Sequence, residues 1–179
     1  AAMAITLKEK MDIGKIRERE EYLVSLAFRK LQMIKGLHIL AENITDRLGV
    51  FSFYYDNVHH NLATKLLNDR FGIQVRGGCS CAGTYGHFLL NVDFQLSREI
   101  TERIDAGDLS MKPGWVRLSL HPTMTEAELR YIIEAIEQVA ENAGEWAKDY
   151  CYNNHTNEFH HITYEDTSLA NSMKWFEID

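Results

Sequence analysis

The sequence predicts an α+β domain, a small and mostly antiparallel sheet covered by helices on at least one side. Three observations carry this reading. Two long runs have apolar residues at helical spacing, over 13–34 and 125–143; two strand-like runs, 37–40 and 49–55, are adjacent in sequence; and the segment 115–120 alternates apolar and polar residues.

The first helix is predicted from Ile13, Ile16, Leu23, Leu26, Ala27, Leu31 and Ile34, with Gly36 as its stop. Ala1 to Met3 are left out of the fold reading. Leu37 to Leu40 and the β-branched and aromatic run from Gly49 to Tyr55 follow as an antiparallel pair, the second long enough to be covered on both faces. A short helix opening near Asn57 or His59 places Leu62, Ala63, Leu66 and Leu67 on one face and ends near Phe71-Gly72. Ile73 and Val75 then alternate with Gln74 and Arg76 as a short strand running into a Gly77-Gly78 turn. From Gly86 to Ile104 the spacing of Phe88, Leu89, Phe94, Leu96 and Ile100 fits a helix only loosely. Beyond Pro113, Val116, Leu118 and Leu120 share one face of a strand, which turns Arg117 and Ser119 to the other. Thr125 with Glu128 forms a capping box, and Leu129, Ile132, Ile133, Ile136, Val139, Ala140 and Ala143 mark the helix it opens. The aromatic, histidine-bearing tail from Tyr150 is aperiodic and predicts a packed extension.

At 179 residues, 45% apolar and 25% charged, the composition suits one well-buried unit and excludes a disordered, collagenous or coiled-coil chain. The expected organisation is one unit over 1–179, with a core at 13–147 and an extension at 148–179. There is no long apolar run, and no basic segment followed by an apolar stretch at the start, so a cytoplasmic protein without membrane partners is expected. Net charge is +3 over 1–36, −1 over 37–124 and −9 over 125–179, and the early basic residues alternate with Glu18, Glu20 and Glu21. Such a pattern offers no face to a phosphate backbone, so nucleic acid is not an expected partner. Cys79, Cys81 and Cys151 are an odd count without a disulfide framework, which predicts reduced thiols.

Chemistry gathers in the loop Arg76-Gly77-Gly78-Cys79-Ser80-Cys81-Ala82-Gly83, whose glycines allow close backbone approach. A thiol there becomes a nucleophile if Arg76 or a helix amino terminus stabilises its thiolate; otherwise the loop is a glycine turn with two inert thiols. Zinc is the rival use, with Cys79, Cys81 and His87, His59 or His60, although structural zinc sites usually place cysteines two to four residues apart. His155, His160 and His161 are a looser group that suits a solvated surface. Arg117 presents a planar fork suited to a carboxylate, or to a surface ion pair.

The succession His59-His60, Gly72-Ile73-Gln74-Val75-Arg76-Gly77-Gly78, Cys81-Ala82, Val116-Arg117-Leu118-Ser119 and Thr125-Glu126 resembles the carboxy-terminal small domain of class V aminotransferases. That group includes cysteine desulfurases and selenocysteine lyases, pyridoxal-phosphate enzymes of fold type I. The resemblance implies that Arg117 binds the substrate carboxylate and that Cys81 takes sulfur or selenium from the substrate. It also implies substrate-binding roles for Arg76, at the strand end of the same loop, and for His59 and His60. One departure bears on the reaction: where the family commonly has histidines before the cysteine, this chain has Cys79 and Ser80, so transamination and carbon–sulfur or carbon–selenium cleavage both stay open.

The cofactor lysine of that family follows a Ser-x-His pattern, and none of the nine lysines here does. The resemblance therefore implies a fragment without the cofactor-binding large domain, which forms no covalent pyridoxal phosphate adduct and has no turnover alone. Its partners would be an amino-acid substrate, the large domain and a second copy in a homodimeric parent enzyme. An apolar face left by the large domain or by that second copy would make the isolated chain self-associate. The alternative is a free-standing binding module with a thiol or zinc site at Cys79 and Cys81.

Overall fold

The computed structural model describes residues 2–79 and 83–163 of the chain. Asp12, at φ +67, separates helices α1 (Ala2–Met11) and α2 (Ile13–Leu31). Its carboxylate accepts hydrogen bonds from the Gly14 and Lys15 amides at 2.9 and 3.4 Å, which a helix start otherwise leaves unpaired. α2 buries Leu23, Ala27 and Leu31 along the predicted stripe, whereas Ile13 is exposed and α1 buries nothing. The helix ends five residues before Gly36 rather than at it. Ile34 is buried from the connecting turn, so its apolar character reports the core and not a further helical turn.

After α2 come β1 (Leu37–Ile39), β2 (Val50–Tyr55), α3 (His60–Phe71), β3 (Arg76–Gly78), α4 (Gly83–Leu89), α5 (Phe94–Asp105), β4 (Trp115–Ser119) and α6 (Glu126–Trp146). The four strands form one antiparallel sheet in the order β1-β2-β4-β3. Phe51, Phe53, Tyr55, Val116 and Leu118 point to one face, where α2, α3 and α6 close the core. The Tyr55 hydroxyl donates to the Ile136 carbonyl at 3.0 Å inside it, fastening α6 to the sheet. The Thr125–Glu128 capping box forms as the sequence predicts.

Two expectations need correction, and two segments left open take definite form. β2 alternates buried and half-exposed residues, so one of its faces stays open. The strand expected over 73–76 pairs instead over Arg76–Gly78, and Ile73 is buried in the connection that leaves α3. The stretch from Gly86 divides into α4 and α5, the second started by the Asp93 carboxylate accepting from the Leu96 amide at 2.8 Å. The tail makes a hairpin, β5 (Tyr150–Asn153) and β6 (Glu158–His161), while Tyr164, Trp175 and Phe176 lie outside the described residues.

That hairpin docks on α3: Asn61 donates to the Asn157 carbonyl at 2.5 Å, and the Tyr150 hydroxyl meets the Asp69 carboxylate at 3.0 Å. Arg70 pairs with Asp149 at 2.8 Å beside it. Among the described residues no helix is long and apolar enough to cross a membrane.

Two glycines test the packing in opposite directions. Gly114, just before β4, lies against the His60 ring, and a Cβ there would fall 2.6 Å from the imidazole. Gly144 is exposed inside α6 with nothing within 4 Å of such a Cβ. In chemical unfolding, Gly114→Ala is expected to cost about 1–3 kcal/mol through overpacking. Gly144→Ala should add about 0.5–1 kcal/mol through helix propensity, and equal effects of the two would contradict this packing.

Candidate functional site

The site is built by strand alternation. Val116 and Leu118 are buried against the helices, so Arg117 between them stands on the outer face of the sheet. Ser52 of β2 and Arg76 of β3 are its direct cross-strand neighbours, which places Ser52, Arg117 and Arg76 in one row on that face. Trp115, two residues before Arg117, shares the face but is covered by α4. Gly86 permits this, because a Cβ there would lie 3.2 Å from Trp115 Cζ3 and 3.9 Å from Cys79 Cβ. The chain after β3 thus folds back beside the two arginines, carrying Cys79 with it.

Among the described residues the arginine pair has no counter-ion. Neither Arg76 nor Arg117 makes a hydrogen bond or ion pair among the described residues, and Arg117 Nε is buried without an acceptor. At the far edge of the same face His38 Nε2 meets Asp56 Oδ1 at 2.6 Å and stacks on Tyr54 at 4.9 Å. Sequence reasoning passed over Ser52, His38 and Tyr54. The alternation that singled out Arg117 applies equally in β1 and β2, and was the signal available for them.

The histidines approach from the other side. α3 lies over the core face at β3, where a Cβ on Gly77 would meet Asn61 and Thr64 at 2.7 Å. His59 caps α3 by accepting the Asn61 amide on Nδ1 at 3.1 Å, and its ring stacks on His60 at 4.3 Å beneath Tyr152 and Phe159. His60 reaches an open cleft of about 820 Å³ between α3, the free edge of β3 and the hairpin, also lined by Arg76, Cys79, Lys65 and Lys112. The structure therefore brings Arg76 and Arg117 together on the outer face and sets His59 and His60 across the strand edge from them.

Cys81 lies outside the described residues, and with it the thiol or zinc site expected at Cys79 and Cys81. Among the described residues no group of three metal-ligating side chains converges, and His87 is engaged with Ser97 at 3.1 Å. Nor do these residues fit a covalent pyridoxal phosphate. Among the described residues no lysine belongs to a strand of the sheet, and Lys65 and Lys112 line the cleft beside β3.

Both histidines are held neutral. Burial, with His59 and Lys112 close by, pushes the His60 imidazole down to about 3, and burial lowers His59 as well. Their rings pack together, His59 against Tyr152 and Phe159 as well, and His59 Nε2 is buried without a partner among the described residues.

A family model described as aminotransferase class-V matches residues 1–132. Among solved structures, the cysteine desulfurase CsdA of Escherichia coli, in its S-sulfonic acid form, superposes with a TM-score of 0.52 at 18% identity, covering 77% of this chain and 28% of that one. The apo cysteine desulfurase of Thermococcus onnurineus NA1 does so with a TM-score of 0.54 at 22% identity, covering 77% of this chain and 29% of that one. The likeness establishes the fold, and the chain spans under a third of the length of either enzyme. No curated protein sequence matches it.

The neutral histidines predict a direction for acid stability. The unfolded chain binds protons near pH 6.5 and the folded chain does not until far lower, so stability is full above pH 6.5 and falls as the pH drops toward 3. His60 is expected to contribute a loss of about 2 kcal/mol between pH 6.5 and 5. Urea unfolding at the two pH values should show a smaller loss in His60→Gln, and an unchanged loss would remove His60 as its cause.

Proposed function

The chain belongs to the class V aminotransferase family, and from that premise we propose that it forms the substrate-carboxylate side of a pyridoxal-phosphate enzyme acting on an amino acid. One observation carries this: Arg117 stands on the outer face of a rigid central strand, beside Arg76, with its Nε buried and unpaired. A guanidinium held by the strand donates to both oxygens of a carboxylate and fixes the substrate's direction, which a flexible surface arginine would not do.

The cofactor supplies carbanion chemistry when bound, and its lysine belongs to the part of the parent enzyme that this chain lacks. What these residues contribute is orientation and exclusion of water: Arg117 holds the carboxylate, while Trp115 and α4 shield one side. Cys81 would accept sulfur or selenium in a desulfurase or lyase, a role resting on the family resemblance alone. Homodimerisation of the parent enzyme and a cytoplasmic location complete the proposal.

The test requires the longer enzyme that carries the cofactor-binding part. Lysine keeps the charge of Arg117 but not its fork, so Arg117→Lys is expected to raise KM for the amino acid by about 10–100-fold with a smaller change in kcat. An unchanged KM would take Arg117 out of the site.

A further inference from the structure

The chain holds ten arginines. Eight have a carboxylate or a backbone carbonyl as partner. The two that have none among the described residues, Arg76 and Arg117, stand directly opposite each other on neighbouring strands. Like charges in such a cross-strand pair destabilise a sheet, and a buried guanidinium nitrogen without an acceptor adds to that cost. Five of the eight meet a carboxylate, even on exposed helices, where Arg17 meets Glu21 at 2.7 Å and Arg98 meets Glu102 at 3.2 Å. Among the described residues, the two arginines without any partner both stand on the face that the proposed function assigns to substrate.

A single carboxylate neutralises only half of this pair. With the α-carboxylate on Arg117, a substrate such as alanine would leave Arg76 facing the complex as an unpaired charge. Arg76 is the more exposed of the two and sits on the edge strand, where Gly78 at φ +110 turns the chain toward Cys79. It is therefore placed to meet the side chain of the substrate and not its backbone end.

We infer that the Arg76–Arg117 pair selects an amino acid with two carboxylates, of the aspartate or glutamate class, with the α-carboxylate on Arg117 and the side-chain carboxylate on Arg76. This rests on the proposed role of Arg117 and names the substrate for it. It also bears on the reaction class. A dicarboxylic amino acid has no side-chain sulfur or selenium to give up.

Binding can be read on this chain directly by following the arginine Nε–Hε resonances during titration with L-alanine, L-aspartate, L-glutamate and inorganic phosphate. One diacid is expected to bind at least ~10-fold more tightly than alanine, the size of one added charge-assisted hydrogen bond. Both arginine signals should move with it, and only that of Arg117 with alanine. Arg76→Gln, an exposed change with little bearing on folding, should bring the diacid down to the affinity of alanine. Equal affinities for alanine and the diacids, with Arg117 alone responding, would overturn this inference and leave the carboxylate role of Arg117 standing. Phosphate binding as tightly as the diacid would overturn it too, by showing a general anion site. An Arg117 signal that moves with none of the four would overturn both.

Discussion

The register of β4 is the constraint from which the site follows. Val116 and Leu118 must face α2, α3 and α6 to be buried, and in a strand with a two-residue period that obliges Arg117 to face out. Antiparallel pairing on both sides then fixes Ser52 and Arg76 beside it. A slip of one residue would bury the guanidinium and expose two core side chains, so the hydrophobic core itself holds the arginine in position. Rigidity of this kind is what carboxylate recognition requires, because a fork orients a ligand only if its own backbone does not move.

A second constraint acts at the sheet edge. His59 and His60 stack at the start of α3, against Gly114 on one side and the Tyr152 and Phe159 rings of the hairpin on the other. The imidazoles join the end of β4 to a hairpin that lies beyond the family match at residues 1–132. The extension is thereby tied to the family fold through stacked histidines rather than through the arginine face, and it walls the cleft beside β3. Binding on the outer face and packing at the edge are thus separate tasks for neighbouring residues.

Much of this was legible in the sequence where a period repeats. The outward turn of Arg117 followed from the alternation of Trp115 to Leu120, and α6 from the Thr125–Glu128 box and its apolar stripe. The class V resemblance, carried by short motifs, agrees with the family match and with the fold of two cysteine desulfurases. What sequence could not show was cross-strand register, which depends on partners far apart in the chain. Hence Ile73 and Val75 suggested a strand that the structure starts at Arg76, and the juxtaposition of Arg76 with Arg117 had no local signal. The histidine hub was hidden for a similar reason. Nothing near His60 in sequence foretells the glycine at 114 or the hairpin rings that bury it.

That Arg76 and Arg117 stand uncompensated among the described residues is tested most directly by a double-mutant cycle on unfolding free energy, with Arg76→Gln, Arg117→Gln and the double variant at low and high salt. Each single change is expected to raise stability by about 0.2–1 kcal/mol, with a repulsive coupling in the cycle that shrinks as salt rises. Single changes that each lower stability and add in the double variant would contradict it, because arginines that stabilise the fold independently must already be neutralised within it.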